Sequence, residues 1–204
     1  NGGFATATVT LTVSPVNDPP VAVNDNASTA EDTPVTIPVL LNDSDRDGDP
    51  LTVTAASASN GSVTINPDGT LRYVPNADFN GVDLITYTIS DGHGGFSTAT
   101  VTVGVGIIND APVAIPIAAQ ANADASVISL SVAGNFSDID GDPLSFTATG
   151  LPAGLSIDPV TGIISGTIDR EASQLNGGVY NVTVTVADGQ GGVTSQSFAW
   201  TVSN

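Results

Sequence analysis

The chain has 204 residues, of which 40 % are hydrophobic and 12 % are charged, and its formal net charge is −18. The only basic residues are Arg46, Arg72 and Arg170, so the surface repels phosphate groups, which argues against nucleic-acid binding and against attachment to an anionic membrane. The lack of cysteine excludes a disulfide framework, a thiol nucleophile and a Cys-based zinc site.

Aspartate supplies nearly all of the negative charge, because only Glu31 and Glu171 among the 21 acidic residues are glutamates. A purely solubilising or salt-adapted acidic surface would use both residue types. Short Asp side chains in loops favour tight turns and oxygen ligation instead. Salt adaptation stays open as an alternative, but it explains this preference less well than metal binding does.

An internal repeat divides the chain. Residues 1–22 match residues 93–114 closely, and residues 190–204 repeat the same strand once more. We therefore predict that residues 1–16 are the last strand of a preceding module in a longer parent, which would carry any targeting signal. Module one is then expected over residues 17–108 and module two over residues 109–204.

Short runs of alternating apolar residues, separated by Gly, Pro, Asn and Asp, fill both modules. Predicted strands in module one are Val21–Val23, Val35–Leu40, Leu51–Ala55, Ser62–Ile65, Leu71–Val74, Leu84–Ile89 and Ser97–Val105. Those in module two are Val113–Ala118, Val127–Val132, Leu144–Thr147, Leu155–Ile157, Ile163–Thr167, Tyr180–Val186 and Thr194–Val202. Seven strands per module and no amphipathic segment of helical length favour an all-β fold of two tandem immunoglobulin-like Greek-key sandwiches.

The phase of the strands also predicts core residues. Ile85, Tyr87 and Ile89 fall in phase with the run from Val182 to Val186, and both sets should face the core of their own module. Trp200 lies on the final strand in a core phase, so packing is favoured over ligand stacking.

Three acidic elements recur in each module and should meet at one end of its sandwich. They are a linker, an Asp-x-Asp-Gly-Asp loop and a loop after the penultimate strand. In module one these elements contain Asn17, Asp18, Asp45, Asp47, Asp49 and Asp91; in module two they contain Asn109, Asp110, Asp138, Asp140, Asp142 and Asp188.

Carboxylates brought so close together repel one another. The cost is about 1 kcal/mol per pair in water and about 4 kcal/mol at an effective dielectric constant of 20. A hard divalent cation with six to eight oxygen ligands offsets that cost, so we predict calcium at these positions. The alternative is that the motifs are ordinary Asp-Gly turns; the recurrence of all three elements favours calcium.

The chain resembles the cadherin-like repeats of large bacterial surface adhesins over essentially its whole length. The linker Asn109-Asp110-Ala111-Pro112, the late Asp188 loop, and Ile168-Asp169-Arg170-Glu171 after a short strand carry the cadherin likeness. Module one is similar to the tandem adhesin type of repeat, as in VLLNDSDRDGDPLTV, and module two to the dystroglycan type, as in LPAGLSIDPVTGIISGTI. Module one departs from the pattern, because Asn76-Ala77-Asp78 stands where Asp-Arg-Glu is expected.

The resemblance implies cadherin-like sandwiches with calcium ions between modules. Implied ligands at the junction are Glu31, Asp78, Asn109, Asp110, Asp138, Asp140, Asp142 and Asp188. Implied ligands at the top of module one are Asn17, Asp18, Asp45, Asp47, Asp49 and Asp91, and those at the base of module two are Asp124, Asp169 and Glu171.

The implied function is that of a calcium-binding extender region in an extracellular, biofilm-type bacterial adhesin. Its partners would be neighbouring repeats of the same polypeptide, with no direct insertion into a membrane. A calcium-dependent carbohydrate-binding module and a homophilic adhesion module remain alternatives, with a polysaccharide or another copy of the chain as partner. Aromatic residues, which form most sugar-binding platforms, make up only 5 % of the chain.

Catalysis is not supported by the sequence. His93 is the only histidine, and Asn1 and Gln190 occupy the matching positions in the other copies of the repeat. A position that accepts all three residue types suits a loop better than a general base. We therefore predict that the chain is not an enzyme and has no catalytic residues.

The segment ATATVTLTV near the N-terminus has strand character but no module of its own. Exposed strand edges recruit pairing partners. We expect this segment to pair with a sheet of module one or with another chain.

Overall fold

The computed structural model describes residues 1–204, and its contacts divide the chain into two units, Asn1–Ile107 and Ile108–Asn204. The first unit contains module one, and the second contains module two. The helical segments are short 3-10 turns, and none has the length and hydropathy needed to span a membrane.

Module one contains seven strands. They are β1 (Asp25–Ala30), β2 (Val35–Ile37), β3 (Thr52–Ala58), β4 (Gly61–Ile65), β5 (Leu71–Pro75), β6 (Gly81–Ser90) and β7 (Phe96–Gly106). One sheet has the order β1-β7-β6-β3 and the other β2-β5-β4. All neighbours are antiparallel except β1 and β7, which run parallel. The chain crosses from sheet to sheet after β1, β2, β3 and β5, which is the expected Greek-key sandwich.

Module two has nine shorter strands: β8 (Val113–Ala114), β9 (Gln120–Ala123), β10 (Val127–Ser131), β11 (Phe136–Ser137), β12 (Ser145–Thr149), β13 (Leu155–Ile157), β14 (Ile163–Thr167), β15 (Val179–Ala187) and β16 (Val193–Ser203). Its sheets have the orders β12-β15-β16-β9 and β10-β14-β13, with a small β11-β8 pair. Again the final strand pairs parallel with an early one, here β16 with β9. Ala172–Gly178 forms a kinked 3-10 segment before β15.

The predicted core residues are confirmed. Ile85, Tyr87 and Ile89 are fully buried, as are Val182, Val184 and Val186 in module two and the ring of Trp200. Alternation along β6 and β15 turns every second side chain inward, so one strand of each module contributes several large residues to its core.

The first predicted strand of each module is formed only in part. Val21–Val23 forms only a single bridge between Val21 and Ser44, and the strand proper is β1. β1 consists mainly of Asn, Asp, Ser and Ala, which are not typical strand residues, so the sequence did not indicate a strand there. Parallel pairing with β7 stabilises it. Likewise Val113–Ala118 is not one strand, because Pro116 cannot donate to a ladder; β8 ends at Ala114 and β9 begins at Gln120.

The N-terminal segment that contains ATATVTLTV does not pair with a sheet of module one, so the first of the two predicted pairings is wrong. These residues form no strand, and Phe4, Val9, Leu11 and Val13 are each at least 80 % exposed. The segment has the sequence of a final strand, and β7 already fills that place in module one. Pairing with another chain stays a prediction.

Candidate metal centres

The Asp-x-Asp-Gly-Asp loop of module one is organised by its first aspartate. Asp45 Oδ1 accepts hydrogen bonds from the backbone N–H groups of Asp47, at 2.8 Å, and Asp49, at 3.2 Å. Gly48 has a φ of +82°, a left-handed conformation that allows the chain to turn between these two donors. As a result, Asp45, Asp47 and Asp49 each place a carboxylate oxygen within 4.8 Å of the other two.

Module two builds the same loop from its own sequence. Asp138 Oδ1 accepts the N–H groups of Asp140, at 3.0 Å, and Asp142, at 3.3 Å, around Gly141, whose φ is +78°. The carboxylates of these three aspartates also lie within 4.8 Å of one another. The loop geometry therefore follows from the motif itself.

The second oxygen of the leading aspartate has no hydrogen-bond donor in either loop. Asp45 Oδ2 and Asp138 Oδ2 are buried from solvent and accept no hydrogen bond. A buried carboxylate oxygen without a donor is costly unless a cation or a proton neutralises it. Because each of these aspartates belongs to a group of three carboxylates within 4.8 Å, the loops fit a hard divalent cation, which prefers oxygen ligands.

The linker of each module is hydrogen-bonded to both acidic loops. In module one, Asn17 Nδ2 donates to Asp91 Oδ2 at 2.8 Å, and the Asp18 N–H donates to Asp47 Oδ2 at 2.7 Å. The corresponding distances in module two are 2.9 Å from Asn109 Nδ2 to Asp188 Oδ2 and 2.8 Å from the Asp110 N–H to Asp140 Oδ2. The three predicted elements therefore meet in each module, with the linker contacting both loops.

The late aspartates, Asp91 and Asp188, lie in the loops after the penultimate strands and accept a hydrogen bond from the Asn of the linker. Asp188 is only 4 % exposed, and its Oδ1 accepts the N–H groups of Gln190, at 2.7 Å, and of Gly191 and Gly192, both at 3.0 Å. The hydrogen bond from Asn109, assisted by these N–H groups, holds the pKa of Asp188 below its ordinary value. Asp91 is equally buried and is held ionised in the same way, chiefly by Asn17.

Glycine is required beside each late aspartate. A Cβ on Gly192 would collide with Asp188 Oδ2 and would lie 2.7 Å from the Cα of Ala111 in the linker. A Cβ on Gly95 would meet Asp91 Oδ2 and the Cα of Pro19 in the same manner. The GlyGly pair after the late Asp therefore lets the linker approach the loop closely.

The predicted ligands at the bases of the modules are arranged less regularly. In module one, Glu31 is buried, whereas Asp78 is exposed and has a φ of +56°. The Asp78 N–H lies 3.4 Å from Oδ1 of Asp32, a residue that the sequence reasoning missed although it directly follows Glu31. The assignment of Glu31 and Asp78 to a junction set remains a prediction.

In module two, Asp124 accepts hydrogen bonds from the N–H of Ser173, at 2.9 Å, and from its hydroxyl, at 2.5 Å. Asp124 therefore ties the 3-10 segment to β9. Asp169 and Glu171 are exposed, and these three residues do not form a carboxylate group as close as the ones in the two loops.

Two polar clusters inside module one were not foreseen. The Tyr87 hydroxyl lies 3.0 Å from Asp25 Oδ2, 3.2 Å from Asp43 Oδ1 and 3.0 Å from the Val23 carbonyl oxygen. Burial, together with the neighbouring Asp43 carboxylate, raises the pKa of Asp25 even though the Tyr87 hydroxyl opposes this. The residues are far apart in sequence, so only the excess of Asp could have signalled the cluster.

The second cluster surrounds Asp83, which is 1 % exposed. Its carboxylate accepts the Tyr73 hydroxyl at 2.8 Å and the Asn60 backbone N–H at 2.9 Å. Burial alone would raise the pKa of Asp83, but the hydrogen bonds from Tyr73, Asn60 and the Leu84 N–H outweigh it and lower the pKa.

Comparison with known proteins supports the architecture. Residues 17–104 match the family model described as Bacterial Ig domain, and residues 111–203 match the one described as Putative Ig domain. No curated protein matches the chain.

Among solved structures, the first two domains (EC1-2) of human mucin-like protocadherin align with a TM-score of 0.59 and 18 % identity, covering 90 % of this chain and 97 % of that one. The human desmocollin-1 ectodomain aligns with a TM-score of 0.51 and 15 % identity, covering 91 % of this chain and 41 % of that one. An endo-fucoidan hydrolase from glycoside hydrolase family 107 reaches a TM-score of only 0.36 at 22 % identity, covering 90 % of this chain and 28 % of that one.

The chain thus spans less than half of the desmocollin and hydrolase chains. Identities this low bear on the fold alone, and the hydrolase alignment supports no inference. Domains of the immunoglobulin and cadherin-like classes are typically non-enzymatic. The two modules are tandem immunoglobulin-like domains of bacterial type with a cadherin-like fold.

Proposed function

We propose that this chain is a calcium-binding extender segment of a bacterial cell-surface adhesin, in which calcium stiffens the connections between successive modules. The observation that supports it best is the pair of Asp-x-Asp-Gly-Asp loops. Each holds three carboxylates within 4.8 Å and one buried carboxylate oxygen without a donor. A bound calcium ion would neutralise the three carboxylates and coordinate the oxygen that has no hydrogen-bond donor.

The linker connects cation binding at the loop to the stiffness of the chain. Asp110 follows Asn109 in the segment that leads into module two, and its N–H donates to Asp140, one of the three clustered carboxylates. A cation on Asp138, Asp140 and Asp142 would hold the loop to which the linker is bonded, and it would remove rotational freedom from the connection. Glu31 and Asp78 of module one are the further ligands that the cadherin resemblance implies.

Exposed positions offer little to a sugar. Carbohydrate sites generally need an aromatic platform, yet Trp200 and all three tyrosines are buried. The aromatic side chains that are largely exposed are Phe4, in the N-terminal segment, and Phe96, at the start of β7. We therefore place the extender role ahead of glycan binding, and we expect the chain to act outside the cell without catalytic activity.

The test is thermal unfolding and small-angle X-ray scattering of the full chain with calcium, with magnesium and with a chelator. Calcium at about 100 times its dissociation constant stabilises a single-site protein by about 2.7 kcal/mol. We expect a higher Tm of module two, followed by Trp200 fluorescence, and a narrower distribution of molecular lengths in calcium.

A matched pair of variants identifies the site. Asp138→Asn retains the Oδ1 acceptor of the loop and replaces the oxygen that lacks a donor by an amide, so the calcium effect should largely disappear. Asp158→Asn removes the same charge from a turn outside the loop and should leave the effect intact. An unchanged Tm and an unchanged length distribution in wild-type protein would contradict the proposal.

A further inference from the structure

The two Asp-x-Asp-Gly-Asp loops differ at their second position. Arg46 of module one places Nη1 3.5 Å from Asp18 Oδ2, so a guanidinium group lies against the acidic cluster of that module. Ile139 occupies the matching position in module two; it is 61 % exposed and brings no charge.

The other contacts of the loops are alike. His93 Nδ1 lies 3.0 Å from Asp49 Oδ2, and Gln190 Nε2 lies 3.4 Å from Asp142 Oδ2 at the matching position. A side-chain nitrogen therefore approaches the last aspartate of the loop in both modules. The guanidinium group of Arg46, by contrast, has no counterpart in module two, where Ile139 stands at the matching position.

Both clusters contain the same number of aspartates, and Arg46 adds one positive charge to the cluster of module one. The aspartates are Asp18, Asp45, Asp47, Asp49 and Asp91 in module one, and Asp110, Asp138, Asp140, Asp142 and Asp188 in module two. Arginine stays protonated at any physiological pH, so this difference does not depend on titration. A guanidinium near the loop repels an arriving divalent cation and lowers the negative potential that attracts it. Solvent screens the effect in part, because the Arg46 side chain is 82 % exposed.

We propose that Arg46 makes the loop of module one the weaker cation site, so that module two fills first as calcium rises. This inference rests on the proposed calcium-binding function and deepens it. A graded response follows: at intermediate calcium the Asp138 loop is occupied while the Asp45 loop is still empty. Ile139 allows the tighter site because it adds no competing charge.

The test is a calcium titration of the full chain followed by NMR, with the amide signals of Gly48 and Gly141 reporting the two loops separately. We expect Gly141 to reach half-saturation at a lower calcium concentration than Gly48. Arg46→Ile should lower the half-saturation concentration at Gly48 by roughly three- to tenfold, and Ile139→Arg should raise that at Gly141 by a similar factor. Each variant should leave the other loop unchanged.

Arg72→Gln is the matched control, since it removes one positive charge from β5, outside both loops, and should change neither half-saturation concentration. Equal affinities of wild-type and Arg46→Ile protein at Gly48 would overturn the inference while leaving calcium binding in place. If neither glycine signal responds to calcium in wild-type protein, the proposed function itself fails, and this inference fails with it.

Discussion

Module one and module two hold their acidic loops with the same hydrogen bonds, but they build the sandwiches beneath them differently. Module one uses buried tyrosines that bond to carboxylates, Tyr73 to Asp83 and Tyr87 to Asp25. Module two packs aromatic rings instead, with Phe136 edge-on to Phe146 at 5.9 Å and Phe198 tilted against Trp200 at 6.0 Å.

This difference shows whether the geometry of the acidic loops depends on their own sequence or on the packing of the core. Asp45 and Asp138 organise equivalent loops above unlike interiors, so the loop geometry depends on the motif and on its linker more than on the core. The cores can therefore be altered one at a time. A substitution in one core leaves the other module as an internal reference.

Truncating a core isoleucine should destabilise only its own module. Ile85→Ala and Ile164→Ala each remove a fully buried side chain and should cost about 2–5 kcal/mol. Because the only tryptophan lies in module two, denaturant unfolding followed by Trp200 fluorescence should shift in Ile164→Ala and stay unchanged in Ile85→Ala. Circular dichroism should detect the loss in both. A fluorescence shift in Ile85→Ala would show that the modules unfold together.

Removing the carboxylate of Asp83 should weaken module one. Asp83→Ala leaves the Asn60 N–H without its acceptor and leaves the Tyr73 hydroxyl only the longer contact, 3.3 Å, to the Asn60 carbonyl oxygen, at a cost of about 1–3 kcal/mol. Chemical denaturation measures the effect, and Asp83→Asn, which keeps one acceptor oxygen, should lose less. Equal stability of Asp83→Ala and wild-type protein would contradict the role of this cluster.

The same residue predicts a pH dependence. The pKa of Asp83 is lowered in the folded state from its ordinary value of 3.8, so the unfolded chain binds this proton more tightly. Its contribution to stability is therefore fully present above pH 3.8 and is lost as the pH falls through the folded-state pKa. Denaturation curves of wild-type and Asp83→Asn protein should converge in that acidic range.

Placing a side chain on Gly192 should loosen the linker of module two. Gly192→Ala forces Asp188 or Ala111 to move, and the loss of one or two hydrogen bonds should cost about 1–2 kcal/mol. Hydrogen exchange at the Asp110 amide should then accelerate. Gly134→Ala is the control in the same module, because its Cβ would meet no atom within 4 Å. Similar exchange rates in the two variants would contradict the requirement for glycine.

Neutralising Asp25 should have the smallest effect and the opposite sign. The pKa of Asp25 is raised, first by burial and then by Asp43, so its shift contributes stability below pH 3.8 that is lost as the pH rises through the folded-state pKa. Asp25→Asn should therefore stabilise module one at neutral pH by about 0.5–1 kcal/mol, through relief of charge repulsion. A lower Tm of this variant at pH 7 would contradict that reading of the cluster.

Sequence reasoning recovered the antiparallel strands well, because long alternating runs such as β6 and β15 carry their core residues in phase. It missed β1 and β9, since both are polar strands fixed by parallel pairing with a later strand. It also missed the contact of Tyr87 with Asp25 and Asp43, which depends on how the sheets pack. The hydrogen bonds between linker and loops follow from motifs that repeat, whereas the strand-like composition of residues 1–16 does not identify a pairing partner.

The most direct measurement of the central claim is isothermal titration of the chelator-stripped full chain with calcium. The account predicts saturable binding, on the order of 10⁻³ M or tighter, that is strongly reduced in the Asp45→Asn/Asp138→Asn double variant. It predicts wild-type binding in the Asp68→Asn/Asp158→Asn variant, which has the same net charge. Absence of binding to the wild-type chain, or undiminished binding to the first variant, would contradict it.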